Sequence, residues 1–329
     1  MPSLLTHYLL GDKTLEKLDN QDLKDLIFKY RQVFNLGTQG PDILFYYRVW
    51  PWTNSNGIEK VGEKMHVEKI NASFHSAIEF ILNCESNQRN LLIAYMCGYI
   101  CHHTLDLHTH PYIFYKTGFV REGDIPTSKY NSYHRMFETV VDVLMLDRLL
   151  HKKPSDIQAH KLIAVGRNEA KSLGEMYEYI LLNTYGLKVT SSHVSQAIFD
   201  MIRVQSILRD SKGIKKNVLF SIEKSLGLFP LISSMIHPLT ITDELDYLNL
   251  SHNTWCLPWD NTTKLNTSFT EMFDIAVDEA KELSETLYKC FTGTLSINAA
   301  LERLGNRSFS TGVDCDLGVE FKYFDCIYE

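Results

Sequence analysis

Along most of the chain, apolar residues return every three or four positions, the period that gives a helix one apolar face, and strict alternation is rare. This pattern predicts helices over residues 15–34, ending near Gly37, and over 68–82 and 88–108. Another is expected over 131–150, with Met136, Val140, Val143, Leu144 and Leu146 on one side. Residues 166–184 and 192–209 read alike, the latter behind Thr190, Ser191 and Ser192 as capping candidates. Ser268 followed by Glu271 is a capping box that opens a helix to about residue 289. Only near the C-terminus do Val319, Phe321 and Tyr323 alternate, which suggests one short strand. The expected fold is all-α, with residues 1–329 forming a single domain. Two loops, 40–52 and 237–265, are rich in aromatics and are candidates to flank one cleft.

Composition narrows this picture. With 17 Gly and 9 Pro in 329 residues, chain breakers are sparse, which favours helices over a loop-rich β fold. A content of 44% hydrophobic and 22% charged residues excludes intrinsic disorder. The net charge of −7 argues against nucleic-acid binding through bulk charge. Seven cysteines form no CxxC pair, and Cys97 and Cys101 sit in an apolar run, so reduced thiols in a core are expected. The opening MPSLLTHYLLGDK has neither the basic start nor the apolar length of a secretory signal. The longest apolar stretch, 91–101, falls short of the ~20 residues of a membrane span. A cytoplasmic protein without a transmembrane segment is the expectation.

The chemistry gathers between His102 and Glu138. His102, Asp106 and His110 are spaced by four and share one helix face, just before Pro111, where a helix would break or end. At ~1.5 Å rise per residue the two histidines lie about 12 Å apart along the axis. Zinc–nitrogen bonds of ~2.0–2.1 Å do not let one ion take both. Two ions could, with Asp106 bridging them, as in hydrolytic sites whose metals lie ~3.5–4 Å apart. His134 and Glu138 repeat the spacing on the next helix and form a second chelating pair. Either pair alone is a common surface contact; their close succession points to metal. His103 and His108 fall off the row and are read as supporting or surface residues.

Further motifs extend the pattern. They are Thr6-His7-Tyr8 with Gly11, Gly40-Pro41-Asp42 through Tyr47, and Gly62-Glu63-Lys64-Met65-His66. Gly98 through Tyr112, His134-x₃-Glu138 and Gly305-Asn306-Arg307-Ser308-Phe309-Ser310-Thr311-Gly312 follow. In this order they resemble the zinc-dependent phospholipase C family, which joins bacterial phosphatidylcholine-type phospholipases C with the N-terminal domain of glycosylphosphatidylinositol phospholipase D. The closest resemblance is to a signal-less cytoplasmic bacterial branch. The metal motifs lie within 1–140, and the helical C-terminal half, 150–329, matches more loosely.

The resemblance implies an all-α, phospholipase C/nuclease-like bundle with a multinuclear site of two to three zinc ions. One ion would take Asp42, His66, His102 and Asp106, with His75 as the fallback for His66. A second would take His110, His134 and Glu138. A third would take His7, the bridging Asp106 and the chain's own terminal amine and carbonyl, supplied by Pro2 once Met1 is removed. Zinc would polarise a phosphoryl oxygen and activate water, with Asp42 as ligand and base. The substrate would be a phospholipid or a small phosphodiester. Phe45, Tyr46, Tyr47, Trp50 and Trp52 would line an apolar mouth or pack the core beneath it. A zinc nuclease is the nearest alternative, but the dispersed basic residues disfavour it. An HD-type phosphohydrolase requires a His-Asp dipeptide that the chain lacks. A non-catalytic, metal-stabilised lipid-sensing protein is the third. Beyond 150 no residue carries recognisable chemistry: His193 and Asp200 would flank a core face, and Trp255 and Trp259 would serve as cleft rim or packing plug.

Overall fold

The computed structural model describes residues 4–50, 53–121, 123, 125–241 and 244–329. The fold is all-α, as expected. Its helices are α1 (Leu4–Lys17), α2 (Gln21–Lys29), α3 (Arg31–Gly37), α4 (Ile58–Val67), α5 (Ile70–Asn83), α6 (Ser86–Thr117) and α7 (Lys129–Leu150). The short α8 (Ala159–Leu162) leads to α9 (Arg167–Tyr185), α10 (Ser191–Leu208), α11 (Ile214–Ser225), α12 (Phe269–Phe291) and α13 (Ile297–Leu304). Strands β1 (Trp255–Leu257) and β2 (Asp260–Leu265) form an antiparallel hairpin. Among the described residues no helix is long and apolar enough to cross a membrane. All seven cysteines are free.

The fold is organised around α6. This 32-residue helix is buried from Leu91 through Leu107 on all sides, so it is a core helix and not a surface one. Helices α1, α3, α7 and α12 pack against it. The α3–α6 contact is close because both helices present glycine: a Cβ on Gly37 would lie 2.2 Å from the Tyr95 carbonyl oxygen, and one on Gly98 would lie 2.1 Å from that of Phe34. This approach brings the end of α3 and the following 3₁₀ turn, Gly40–Tyr46, against the histidine row of α6.

Several elements differ from the sequence pattern. Residues 15–34 do not form one helix. The Asn20 side chain accepts a hydrogen bond from the Leu23 N–H (2.9 Å) and starts α2, because a short polar side chain competes with the helical backbone. Pro111 does not end α6, which runs on to Thr117. Proline leaves the Leu107 carbonyl without its helical donor. The backbone of Gly312 packs there, where a Cβ would lie 2.4 Å from that oxygen.

No strand forms over 319–323. Instead Asp325 and Ile327 donate their N–H groups to the carbonyls of Tyr115 (2.8 Å) and Lys116 (3.0 Å), satisfying the last turn of α6. The hairpin lies in a segment read as a loop; β2 is almost wholly polar and exposed, so it carries no alternating apolar signal. The capping box at Ser268 and Glu271 opens α12 as predicted.

Replacing Gly98 with Ala is expected to lower stability by about 1–3 kcal/mol through overpacking at Phe34. A thermal melt showing an unchanged midpoint would refute the tight α3–α6 contact.

Candidate metal centre

The structure gathers all eight predicted ligand residues at one place. His7, His102 and Asp106 form one group, Asp42, His66 and His102 a second, and His110, His134 and Glu138 a third; the ligand atoms of each group lie within 4.8 Å of one another. The eight side chains arrive on five supports. His7 comes from α1, Asp42 from the 3₁₀ turn, His66 from the last turn of α4, and the row His102, Asp106, His110 from α6. His134 and Glu138 come from α7. His75 is exposed on α5, outside these groups.

Asp106 stands at the centre. Its Oδ2 lies 3.1 Å from His102 Nε2, and its Oδ1 lies 3.3 Å from His7 Nε2 and 3.7 Å from His110 Nε2. The two oxygens of one carboxylate thus face histidines four residues away on either side. Asp42 Oδ1 lies 3.1 Å from His66 Nε2, and Glu138 Oε1 is 3.1 Å from His134 Nε2 and 3.6 Å from His110 Nε2. The three carboxylates are at most 4% exposed.

The backbone fixes which imidazole nitrogen faces inward. Nδ1 of His66 donates to the Gly62 carbonyl (2.7 Å), Nδ1 of His102 to that of Thr38 (3.1 Å) and Nδ1 of His110 to that of Phe309 (3.0 Å). A carbonyl only accepts, so Nδ1 carries a proton in each of the three rings and Nε2 is the nitrogen turned into the site. Gly40 makes the approach of His102 sterically feasible: its φ is +49°, and a Cβ there would lie 2.3 Å from the ring. Its carbonyl accepts from the Tyr177 hydroxyl (3.0 Å), which fixes the turn that carries Asp42.

Electrostatics follow from this crowding. Burial opposes ionisation of Asp106 and Glu138, but the surrounding histidines hold both carboxyls well below the usual range. Asp42 is likewise held down, by His66 and His102 against its burial. His102 and His134 are pushed down mainly by burial. For His110 the same burial is outweighed by Asp106 and Glu138, which carry it up to about 9.

The family described as zinc-dependent phospholipase C matches residues 6–185, more than half of the chain. The chain belongs to the zinc-dependent phospholipase C family. The curated proteins and the solved structures give no match. For a zinc-dependent family this donor set fits the metal: imidazole nitrogen and carboxylate oxygen are its usual ligands. The unpaired atoms fit as well. His102 Nε2, although 3.1 Å from Asp106, makes no hydrogen bond, and neither do the buried His7 Nδ1, His134 Nδ1 and Glu138 Oε2. Buried polar atoms left so are rare unless something else pairs them.

Asp42, His66, Asp106, His110, His134 and Glu138 line a cleft of about 510 Å³. Phe45, Val67, Phe114, Phe119 and Val120 supply its apolar wall, and Lys60, Lys64 and Arg135 its cations. Of the aromatics expected at the mouth, Phe45 takes that place and stacks on His66 at 5.7 Å. Tyr46 and Tyr47 are core residues, 1% and 4% exposed, Trp50 packs half-buried against the core, and Trp52 lies outside the described residues. Met1 and Pro2, whose terminal groups were expected at the third ion, also lie outside them. Trp255 is core, against Tyr112 at 5.3 Å, while Trp259 stacks on Phe321 beside Phe114 and Phe119 at the rim.

The expectation that nothing beyond residue 150 touches the chemistry is corrected by the loop 305–312. Phe309 donates its N–H to the His66 carbonyl (2.9 Å), and its own carbonyl accepts from His110 Nδ1 (3.0 Å). Its ring packs between His66, His102 and His103. The Arg307 carbonyl accepts from His103 Nε2 (2.9 Å), so His103 supports the loop and is not a surface residue. Asp200 accepts from the Arg48 N–H (3.0 Å) and closes the turn after Asp42. Asp142 of α7 accepts from the N–H groups of Leu5 (3.1 Å) and Thr6 (2.6 Å) and from His237 (2.7 Å), anchoring the helix that bears His7. Only the family-like motif around Gly305 signalled any of this in the sequence.

Glu279 of α12 ties the loop down through Arg307 and through His108 (2.6 Å). Burial alone would raise its carboxyl, but these two partners carry it down to about 2. A carboxyl lowered in the folded state stabilises above its unfolded pKa, and that contribution fades as pH falls through the folded one. Glu279→Gln is therefore expected to cost about 1–3 kcal/mol at pH 7, with the gap from wild type shrinking below ~pH 4.5 and closing toward pH 2. Urea melts across this range measure it; a gap independent of pH would refute the ion pair.

Proposed function

We propose that this protein is a zinc-dependent phosphodiester hydrolase of the phospholipase C kind, using two to three zinc ions. The observation that carries this is three imidazoles, each fixed by an Nδ1–H bond, that turn Nε2 onto buried carboxylate oxygen: His66 onto Asp42 (3.1 Å), His102 onto Asp106 (3.1 Å) and His110 onto Glu138 (3.6 Å). A cation is the natural partner for both sides. Asp42, His66, His102 and Asp106 would hold one ion, and His110, His134 and Glu138 a second. His7 and Asp106, with the terminal amine and carbonyl, would hold a third. Bound zinc would supply Lewis acidity at phosphorus and an activated water near neutral pH.

The chain's own residues do the rest. Asp42, kept ionised by His66 and His102, would take the proton of the attacking water. Asp106 orients His7 and His102, and Glu138 orients His110 and His134. Phe45, Phe114 and Phe119 line the cleft and would exclude water from the reacting phosphate, and Arg135 at its edge would pair with a phosphate oxygen. A phospholipid fits this lining best, because Val67 and Val120, each 43% exposed, continue the apolar wall outward. The cleft mixes Lys60 and Lys64 with Glu63 and Glu68, which is not the basic groove of a single-strand nuclease.

Elemental mass spectrometry of gently purified protein should find two to three zinc ions per chain, falling sharply in His102→Ala/Asp106→Ala. A metal-free protein that stays so in zinc-replete buffer would end the reading. Hydrolysis assays on phosphatidylcholine, single-stranded nucleic acid and a small phosphodiester then separate the substrate classes. Asp42→Asn is expected to lower turnover by about 10²–10⁴-fold at retained metal content if Asp42 is the base; full activity with full metal would remove that role.

A further inference from the structure

Helix α11 is built the wrong way round for a helix of a globular protein. The one residue it buries is Glu223, whereas Ile214, Val218, Phe220 and Ile222 are exposed. A surface helix normally turns its apolar stripe inward and its charges outward. The exposed apolar surface continues past the helix through Leu226, Leu228, Phe229, Leu231 and Ile232, which are 43–66% exposed. A contiguous patch of this kind marks an interaction surface.

Polar clamps hold the patch open. The Glu223 carboxylate accepts from the N–H groups of Leu231 (3.1 Å), Ile232 (2.6 Å) and Ser233 (3.3 Å) and from the Ser233 hydroxyl. Lys216 Nζ donates to the carbonyls of Ser233 (2.9 Å) and Ile236 (2.6 Å). The polar groups are thus turned inward and satisfied, which leaves the apolar side chains facing out.

Charge identifies the partner. Between 203 and 232 there are six basic residues and two acidic ones, in a chain of net charge −7. Both acidic residues are engaged, Glu223 in its clamp and Asp210 with the Lys216 N–H (2.8 Å). Arg209, Lys212 and Lys215 line an open groove together with Ile214 and Val218. Protein–protein contacts are depleted in lysine at their centre. Exposed apolar side chains fringed by lysine match an anionic lipid surface instead.

The patch also adjoins the cleft: Arg135, next to His134, donates from Nε to the Ser234 hydroxyl (3.2 Å), two residues beyond Ile232.

We propose that residues 207–232 dock this protein on an anionic lipid surface, with Leu228, Phe229, Leu231 and Ile232 inserted and Lys212, Lys215 and Lys224 against the head groups. The docking does not rest on the metal assignment. It is tested by sedimenting the full chain with vesicles of phosphatidylglycerol and phosphatidylcholine, and with phosphatidylcholine alone. Binding is expected to the anionic vesicles and to fade with salt. Leu228→Ser/Phe229→Ser should lose at least ~10-fold in partitioning, and Lys212→Gln and Lys224→Gln about 5-fold each, with thermal melts unchanged because all four side chains are exposed.

Absence of binding, equal binding to neutral vesicles, or full binding by Leu228→Ser/Phe229→Ser would overturn the proposal. So would a dimer in sedimentation equilibrium that this double variant dissolves while vesicle binding is absent. Sedimentation reads docking whether or not lipid is cleaved, so its failure leaves the hydrolytic reading standing, and the reverse holds.

Discussion

Three carboxylates buried within reach of one another are the constraint on which this structure turns. Asp42, Asp106 and Glu138 are nearly inaccessible to water, and isolated buried anions would be prohibitively costly. Five imidazoles surround them and supply the compensation, either as protonated partners or as co-ligands of a cation. The elevated titration of His110 and the depressed titration of Asp106 and Glu138 are two faces of the same crowding. Everything that positions these groups therefore matters to folding as well as to chemistry. Removing one partner would leave the others buried and unpaired.

The supports come from remote parts of the chain. Asp142 of α7 holds the first turn of α1, and two tyrosines of α6 and α9 meet at the Gly40 carbonyl. The loop after α13 threads Phe309 among the histidines and places Gly312 on the carbonyl that Pro111 leaves free. Pro111 and Gly312 form a matched pair in this sense. The proline opens a gap in the helical hydrogen bonding one residue beyond His110, and the glycine lets a distant backbone fill it. The histidine row then stays on a continuous helix, so His102 and His110 keep the axial separation that puts Asp106 between them.

Much of the architecture was legible because helical periodicity is a local signal. The cap at Ser268 and the buried run of α6 rest on neighbours in sequence, and the structure agrees with both. The break at Asn20 was not legible, since one side-chain cap outweighed a periodicity that continued across it. The β1–β2 hairpin escaped for the opposite reason: it is held by Trp255 packing on α6, with no alternating pattern of its own. The alternation at 319–323 misled because the Lys322 and Tyr323 N–H groups are spent on the Pro258 carbonyl between β1 and β2, not on a ladder.

By itself, the sequence determined the helical class and the spacing that sets two histidines on either side of Asp106, because both follow from the 3.6-residue period. It also determined the order of motifs that marks the family. Only the tertiary structure decided which nitrogen of His102 and His110 faces inward, since the accepting carbonyls of Thr38 and Phe309 come from remote segments. It set His66 beside Asp42 and left His75 exposed, because burial depends on how α4 and α5 pack and not on either motif. It also turned α11 inside out: Glu223 is drawn inward by N–H groups eight to ten residues away, a long-range hydrogen-bond choice that no periodic reading of the helix contains.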